Sequence, residues 1–430
     1  MVFKPAACAP VLAQCGNFGL ADLADLADYK ADLEIKMKNS FATWLRSKLV
    51  FPSSGQHWDC LDGLRGMAIL MVVACHAFHY TAPNIRFAGW PRLAHAFVGA
   101  GHLGVQVFFV LSGFLISQPF FAAKLKNSES WYLEGYAARR ALKIIPPAYL
   151  IIFVFSIYYC FVEHDFIQLK YGLLWLAGIP DFIPIPDAFG FNPVFWSLWV
   201  EVEFYVLLPV LFWVLRKCSY VKTGVAIVLL FLMVPFLTRQ LDAKAQIHAI
   251  DLFYLAKFPN GLTNFSWGIL FACIYSVIPQ DGRHRRHLAL IGYVGIAALA
   301  ITMLLEAEYY ILNPIISYEI PVHLSGVSTF LALFFVFDPG AFGTRFFSIP
   351  FIRYLGLVSY EWFLLHFLIL DRYRAWLGGI PYATKNLGHY FFTALIPMMA
   401  SLLLAMVVYH YFSMPIIKWG RSRLKSKKAL

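Results

Sequence analysis

Long apolar segments recur along the chain, and short polar connectors separate them. We identify ten of them, at residues 64–82, 104–125, 141–162, 195–216, 222–240, 260–279, 287–306, 318–338, 353–371 and 389–416. An α-helix rises about 1.5 Å per residue, so about 20 apolar residues cross a hydrocarbon layer about 30 Å thick. The pattern predicts an all-α protein, a polytopic membrane bundle of about ten transmembrane helices.

The composition supports a membrane location. The chain has 430 residues, of which 60% are hydrophobic, 18% aromatic and only 14% charged. A soluble domain of this length fills its core with a smaller apolar fraction, so the surplus is expected to face lipid. Aromatic side chains are also enriched where helices meet the membrane interface. A soluble globular protein is therefore disfavoured.

The net charge of +11 is distributed unevenly between the connectors. Alternate connectors are basic and include Lys124, Lys126, Arg216, Lys217, Lys222 and the run RHRRH at 283–287. The connectors between them are richer in acids, including Glu163, Asp165, Asp242, Glu306 and Glu319. The positive-inside rule places the basic side in the cytoplasm, so both termini are predicted to be cytoplasmic and the number of spans to be even.

We expect three parts in the chain. Residues 1–60 form an N-terminal cytoplasmic segment, residues 61–416 the membrane domain, and residues 417–430 a basic cytoplasmic tail. Leucines at three- and four-residue steps in 20–33 favour either an amphipathic helix on the inner surface or an extension upstream of a true start at Met37. The tail is expected to bind anionic lipid headgroups, and no nucleic-acid partner is expected.

The seven cysteines are scattered and form no C-x-x-C pair. We therefore expect neither a disulfide framework nor a metal site.

The stretch CLDGLRGMAILMVVACHAFHY, residues 60–80, carries two ionisable groups into an apolar run. Arg65 and His76 are eleven positions apart, which is almost three helical turns, so they share one face at a distance of about 16 Å. Each has a simpler interpretation, because Arg65 could anchor the helix at the interface and His76 could be a structural hydrogen-bonding group. Together they predict a polar track into the membrane.

Cys75 precedes His76 directly. Adjacent positions of a helix diverge by about 100°, so the thiol and the imidazole are not expected to face each other. An acyl-cysteine intermediate at Cys75 is therefore not expected.

Further polar groups lie inside the apolar segments. Glu201 enters a span a few residues from its start, and Tyr205 shares its helix face four positions later. Arg140 and Lys143 are three apart and could grip one polyanion together with Arg139, although plain positive-inside anchoring explains them equally well. His366 lies inside the ninth segment, where a structural role is the alternative.

These stretches, in order, resemble the membrane acyltransferase-3 family. The resemblance rests on LDGLRG with the following histidine, GVQVFFVLSGFLI, RRALKIIPPAYL, WSLWVEVEFYVLLPVL and YLGLVSYEWFLLHFLI. It covers nearly all of the chain from Leu61 to Pro415. It implies ten membrane helices in a plasma (inner) membrane. It also implies transfer of an acyl group, often acetyl from acetyl-CoA, to a hydroxyl of a carbohydrate or glycolipid acceptor. Such acceptors are surface polysaccharide, lipopolysaccharide or peptidoglycan sugars and, in some members, macrolides or other small molecules.

The resemblance also implies roles for particular residues. Arg65 and His76 match the family's Arg-x10-His element, and Glu201 matches its buried glutamate. Arg140 and Lys143 fall on its Arg-x-x-Arg pair, where lysine keeps the charge but loses the bidentate fork of arginine.

A second departure lies near the C-terminus. In YHYFSMPIIKW, Ser413 stands where relatives often carry the glutamate of Tyr-x-x-x-Glu-x-Pro.

The chemistry of O-acylation fits these residue types. A hydroxyl is a poor nucleophile at neutral pH and needs a base, and histidine titrates in the right range. We expect His76 to be the general base, with Arg65 and Glu201 as further catalytic groups. Glu201 would orient His76 or bind the acceptor. Acyl-CoA is the expected co-substrate, with its phosphates on Arg139, Arg140 and Lys143.

Two other classes of function remain open. In a proton-coupled secondary transporter, His76 and Glu201 would carry protons. A non-catalytic partner in polysaccharide synthesis, or a flippase of glycan intermediates, would not depend on His76 at all.

Overall fold

The computed structural model describes residues 58–81, 90–126, 135–178, 191–245, 249–278, 284–312, 319–377 and 387–426. Residues 1–57 lie outside this part of the chain, and with them the predicted amphipathic segment and Met37. Within the described ranges every regular element is a helix, so the all-α prediction is confirmed.

We number the α-helices in chain order. They are α1 (Asp59–Thr81), α2 (Trp90–Gly99), α3 (Gly104–Leu125), α4 (Tyr136–Phe161), α5 (Phe166–Leu176), α6 (Phe195–Val214), α7 (Tyr220–Ala245), α8 (Ala249–Val277), α9 (Arg285–Leu312), α10 (Glu319–Ala332), α11 (Phe342–Phe347), α12 (Pro350–Leu357), α13 (Ser359–Trp376), α14 (Leu387–Val408) and α15 (Met414–Ser426). Short 3-10 helices lie at Ala100–Leu103, Leu215–Lys217 and Leu333–Phe337, and a π-helix at Tyr409–Ser413.

Within the described ranges, eight segments are long and apolar enough to cross a membrane. They are Asp59–Phe78, Ala94–Leu125, Tyr136–Phe161, Phe195–Lys217, Tyr220–Thr238, Arg285–Glu306, Ile320–Phe337 and Phe392–Leu424. The predicted ninth span is a pair of helices, α12 and α13, bent by 71°, and the predicted sixth corresponds to the shorter apolar stretch Gly261–Val277. The multi-pass membrane bundle is thus confirmed, while the sidedness of the termini stays a prediction.

Glycines allow α3 and α8 to approach closely. A Cβ atom on Gly268 would lie 2.0 Å from the carbonyl oxygen of Val110, and one on Gly113 would lie 2.4 Å from that of Phe265. Small residues are the usual means of such contact between membrane helices. Next to this contact, the rings of Phe204 and Phe265 stack with centroids 4.0 Å apart, so α6 joins the same core.

Glycines also fix the position of α1. A Cβ on Gly63 would lie 1.8 Å from the Phe347 carbonyl oxygen, and one on Gly66 would lie 2.1 Å from that of Ile352. Helix α1 therefore packs directly on the backbones of α11 and α12. The two glycines flank Arg65, so this contact determines where its side chain begins.

The bent helix pair α12 and α13 packs beside α1. At this bend the Ser359 hydroxyl donates to the Gly356 carbonyl oxygen at 2.8 Å. Tyr360, one residue later, donates to the Ile144 carbonyl oxygen at 2.8 Å, which joins α13 to α4. The start of α13 therefore lies next to both α1 and α4.

We predict that Gly268→Ala destabilises the bundle by about 1–3 kcal/mol, because the added methyl group has no room against α3. The change in stability is measured by thermal unfolding in detergent, with the loss of the monodisperse peak as the readout. Gly340→Ala is the matched control, since its Cβ would meet only a carboxylate oxygen of Asp338, at 3.2 Å. Equal stability of the two variants would contradict the close α3–α8 contact.

Candidate active site

A small cavity lies between α1, α3, α6 and α13. It is lined by Arg65, Val105, Phe108, Phe109, Ser197, Leu198, Glu201, Ser359, Tyr360 and Phe363. The cavity has a volume of about 40 Å³, which is enough for a few water molecules. Arg65 and Glu201, which the sequence places in different apolar segments, thus meet at one cavity.

Arg65 extends from α1 over an aromatic ring. Its guanidinium carbon lies 5.5 Å from the centroid of Phe108, on α3. Such a cation–π contact stabilises a partly desolvated cation. The side chain is half-buried, in keeping with a position on the wall of the cavity.

Glu201 is held by two hydroxyl groups. Ser112 donates to Oε1 at 2.5 Å from α3, and Tyr205 donates to the same oxygen at 2.5 Å from the next turn of α6. The prediction that Glu201 and Tyr205 share a helix face is confirmed. The contact from Ser112 is not indicated by helical spacing, because Ser112 lies on a different helix, α3.

Tyr205 also connects Glu201 to the basic segment of α4. The guanidinium carbon of Arg140 lies 5.4 Å from the centroid of Tyr205 and 5.9 Å from that of Tyr136. Tyr136 in turn donates to the Tyr205 carbonyl oxygen at 3.1 Å. The ring of Tyr205 therefore lies between a carboxylate and a guanidinium.

Lys143 belongs to the same charged cluster. Its ammonium group interacts electrostatically with two cations and two carboxylates, namely Arg65, Arg140, Glu201 and Glu361. Lys143 and Arg139 are both exposed, but the guanidinium of Arg139 lies near Gly135 at the first turn of α4. Three basic residues are predicted to bind the acyl donor. Of these, Arg140 and Lys143 lie in the charged cluster near the cavity, and Arg139 lies at its margin.

Two histidines meet further along α1. The Nδ1 atom of His76 lies 3.1 Å from Nε2 of His366, on α13. The Nδ1 atom of His366 lies 3.1 Å from the Trp362 carbonyl oxygen and 2.8 Å from that of Phe363. His366 is fully buried, whereas His76 is half-buried.

This geometry fixes the tautomer of the neutral pair. Two carbonyl oxygens can only accept, so Nδ1 of His366 carries its proton and Nε2 is its acceptor. The Nδ1–H of His76 then donates to that Nε2, which leaves the lone pair of His76 on Nε2. His366 thus orients His76 in a form that can remove a proton through Nε2.

The cavity and the histidine pair lie along one helix, α13. Phe363 lines the cavity, and its carbonyl oxygen contacts Nδ1 of His366. His76 is not among the cavity-lining residues, and Glu201 contacts Ser112 and Tyr205. The His76 ring contacts His366 and Phe367, whose ring centroid lies 5.7 Å away, and no local sequence pattern indicates this pairing of α13 with α1.

Sequence reasoning also missed Glu361. This residue is only 3% exposed and interacts electrostatically with Lys143 and Arg65. A carboxylate inside an apolar segment is itself a signal, because such a group needs compensation. Within the described ranges, no group of three or more His, Cys, Asp and Glu residues is arranged to hold a metal ion.

Comparison with known proteins identifies relatives of this arrangement. Residues 58–410 match the acyltransferase-3 family, described as an acyltransferase domain. The peptidoglycan O-acetyltransferase OatA of Listeria monocytogenes serovar 1/2a is 25% identical over 74% of this chain and 50% of its own length. Acyltransferase MdmB of Streptomyces mycarofaciens is 30% identical over 43% of this chain and 48% of its own length.

The chain thus spans about half the length of these relatives. No solved structure matches it. Because the family match covers the whole of the cavity, the histidine pair and the basic cluster, the chain belongs to the acyltransferase-3 family.

Proposed function

We propose that this protein moves an acyl group, an acetyl group in the simplest case, from acyl-CoA to a hydroxyl of a carbohydrate or related acceptor. The observation that carries the proposal is the His76–His366 pair, which leaves a basic nitrogen at Nε2 of His76 inside a chain of an acyltransferase family. Two relatives, a peptidoglycan O-acetyltransferase and an acyltransferase, support this class of reaction.

The basic cluster is the proposed site for the donor phosphates. Arg65, Arg140 and Lys143 converge from two helices. Cations held so close together repel one another, and a bound diphosphate relieves that repulsion. Arg139, exposed at the margin, is placed to meet the outermost phosphate. Lys143 contributes a point charge to this contact, and Arg140 a planar set of donors.

The transfer step requires one base and one leaving thiolate. His76 removes the proton of the acceptor hydroxyl through Nε2 while the oxygen attacks the thioester carbonyl. The carbon–sulfur bond then breaks, and the CoA thiolate takes the proton from the His76 imidazolium. Nε2 of His366 accepts from the Nδ1–H of His76 and so holds the His76 ring in place. His366 also shares the positive charge that develops on that ring.

Glu201 is proposed as a positioning residue. Its carboxylate is bound by Ser112 and Tyr205, and Tyr205 carries the guanidinium of Arg140 on its ring. Glu201 thereby sets the position of one donor-binding cation and offsets the charge of the cluster. In this proposal His366, which contacts the His76 ring, is the residue that orients His76.

The charge pattern supports a location in the plasma (inner) membrane with both termini in the cytoplasm. The basic donor site then lies at the cytoplasmic end of α1, where acyl-CoA is available. The basic tail would bind anionic lipid headgroups at the same surface.

His76→Gln should lower kcat by about 10²- to 10⁴-fold, because the base is lost. The assay is acceptor-dependent release of CoA by the purified protein in nanodiscs. His366→Gln should give an intermediate loss, since its amide oxygen still accepts from His76. His284→Gln, at an exposed histidine of a connector, is the control and should leave the rate unchanged. Normal turnover by His76→Gln would refute the assignment.

Lys143→Ala should raise KM for acetyl-CoA about tenfold with a small change in kcat, because a phosphate contact worth about 1.4 kcal/mol is lost. Lys143→Arg should restore much of the affinity. Arg216→Ala removes a cation whose guanidinium lies on Trp213, away from the cavity, and should leave KM unchanged. A selective loss of kcat in Lys143→Ala would contradict a donor-binding role.

A secondary transporter predicts a different behaviour. It would move solute across sealed vesicles without acyl-CoA and would form no ester. We expect thioester consumption and a stoichiometric ester product with an oligosaccharide or small-molecule acceptor in the same vesicles. Solute flux without any ester, at a rate that depends on His76, would establish the transporter instead.

A further inference from the structure

The histidine pair depends on where α13 lies relative to its neighbours. Helix α12 packs on the backbone of α1, but α13 leaves α12 at a bend of 71°. Because of this bend, the contact of α12 with α1 does not by itself set the position of α13. His366 lies about two turns beyond the bend, and its Nε2 atom meets Nδ1 of His76 at 3.1 Å. We therefore looked for contacts that fix α13 close to His366.

Asn192 supplies such a contact from the segment that precedes α6. Its Nδ2 atom donates to the Leu364 carbonyl oxygen at 3.0 Å, and this hydrogen bond is buried. Its Oδ1 atom accepts from the Val194 N–H at 3.4 Å. A carbonyl oxygen can only accept and an N–H can only donate, so these two partners fix the orientation of the amide. The side chain of Asn192 is fully buried, and its two hydrogen bonds compensate its polar atoms.

Three consecutive carbonyl oxygens of α13 are bound by polar side chains at this turn. The Nδ1 atom of His366 lies 3.1 Å from the Trp362 oxygen and 2.8 Å from the Phe363 oxygen. The next carbonyl along the helix, that of Leu364, is the one that Asn192 binds. A shift of α13 at Leu364 would therefore move the two carbonyls that orient the His366 ring.

The segment that carries Asn192 is itself held firmly. The ring of Phe191 lies 5.6 Å from that of Tyr159, on α4, and 6.3 Å from that of Phe195, the first residue of α6. The Asn192 carbonyl oxygen accepts from the Phe195 N–H at 3.2 Å. Pro193 restricts the backbone between these two residues further. The amide of Asn192 therefore projects from a part of the backbone that has little freedom to move.

A polar contact between two membrane helices can also serve stability alone. Helix α13 has a second such contact, in which the Trp362 indole donates to the Ser401 hydroxyl oxygen at 3.0 Å. That contact leads to α14, which carries none of the residues proposed for the reaction. Asn192 lies nine positions before Glu201 in the sequence, so its contact joins the turn of His366 to the helix that carries the cavity carboxylate.

We propose that Asn192 is a positioning residue of the transfer reaction, which holds His366, and through it His76, in the geometry that proton removal requires. The proposal rests on the proposed function, because it assigns Asn192 a role only in the step that uses His76 as the base. The cations proposed for the acyl donor lie on α1 and α4. The effect of Asn192 is therefore expected on the chemical step and not on donor binding.

The test is a double-mutant cycle between Asn192 and His76, measured on the full chain in nanodiscs as acceptor-dependent release of CoA from acetyl-CoA. Asn192→Leu keeps a side chain of similar size and removes both hydrogen bonds. It should lower kcat by about 10- to 100-fold and leave KM for acetyl-CoA unchanged, because a displacement of about 1 Å in an active site costs up to about 10²-fold in rate. In the His76→Gln background the same substitution should have no further effect, since the base that Asn192 positions is already lost.

A matched control separates positioning from stability. Asn264→Leu removes another fully buried asparagine, whose Nδ2 atom donates to Oε1 of Gln106 at 2.7 Å. It should lower the thermal stability about as much as Asn192→Leu does and leave kcat of the folded protein unchanged. If Asn192→Leu does not fold, Asn192→Gln and Asn192→Ala replace it in the cycle, and Asn192→Gln, which retains an amide donor, should keep more of the rate.

Three results would overturn the proposal. The first is a wild-type kcat in the Asn192 variants, and the second is an equal loss of kcat in Asn264→Leu. The third is a loss of the same size in the wild-type and the His76→Gln backgrounds, which would show that Asn192 does not act through the base. The proposed function fails separately, if the wild-type protein consumes no acetyl-CoA with any acceptor.

Discussion

Cations cannot be buried among apolar helices unless anions, hydroxyls or aromatic rings compensate them. Around the cavity, Arg65 lies on Phe108 and Arg140 on Tyr205, and Glu201 acts on Tyr205 together with both cations. Lys143 has two carboxylates, Glu201 and Glu361, within electrostatic range. Three cations thus face two carboxylates, so the cluster retains an excess of positive charge. That excess is what an anionic acyl donor would neutralise.

Helix α1 carries residues proposed for both donor binding and proton removal. Glycines at 63 and 66 press its first turns against neighbouring backbones, which sets the position of Arg65. Two and a half to three turns later, Cys75 and His76 leave the helix on different faces. The Cys75 thiol donates to the Gly99 carbonyl oxygen, and the His76 ring contacts His366 on α13. The tightly packed α1 would thus fix the distance between the proposed donor-binding cation and the proposed base.

The sequence was sufficient to predict the membrane-spanning segments, because hydropathy and length alone determine which segments can cross lipid. It was also sufficient for the Glu201–Tyr205 contact, which depends only on helical spacing. The pairing of His76 with His366 was not predictable, since 290 positions separate the two residues and neither segment carries a register signal. The same holds for the pair of His102 and Glu306, which come from two different elements. Contacts between helices depend on how the helices pack, and local sequence patterns carry little information about that packing.

The most direct test is a structure of the full chain in nanodiscs with a non-reactive thioether analogue of acetyl-CoA. The diphosphate is expected within hydrogen-bonding distance of Arg140 and Lys143, with Arg65 beside the pantetheine arm. The sulfur and acyl carbonyl are expected near the turn of α1 that carries Cys75 and His76. An analogue bound elsewhere, with this cation cluster and this turn untouched, would contradict the assignment of the site.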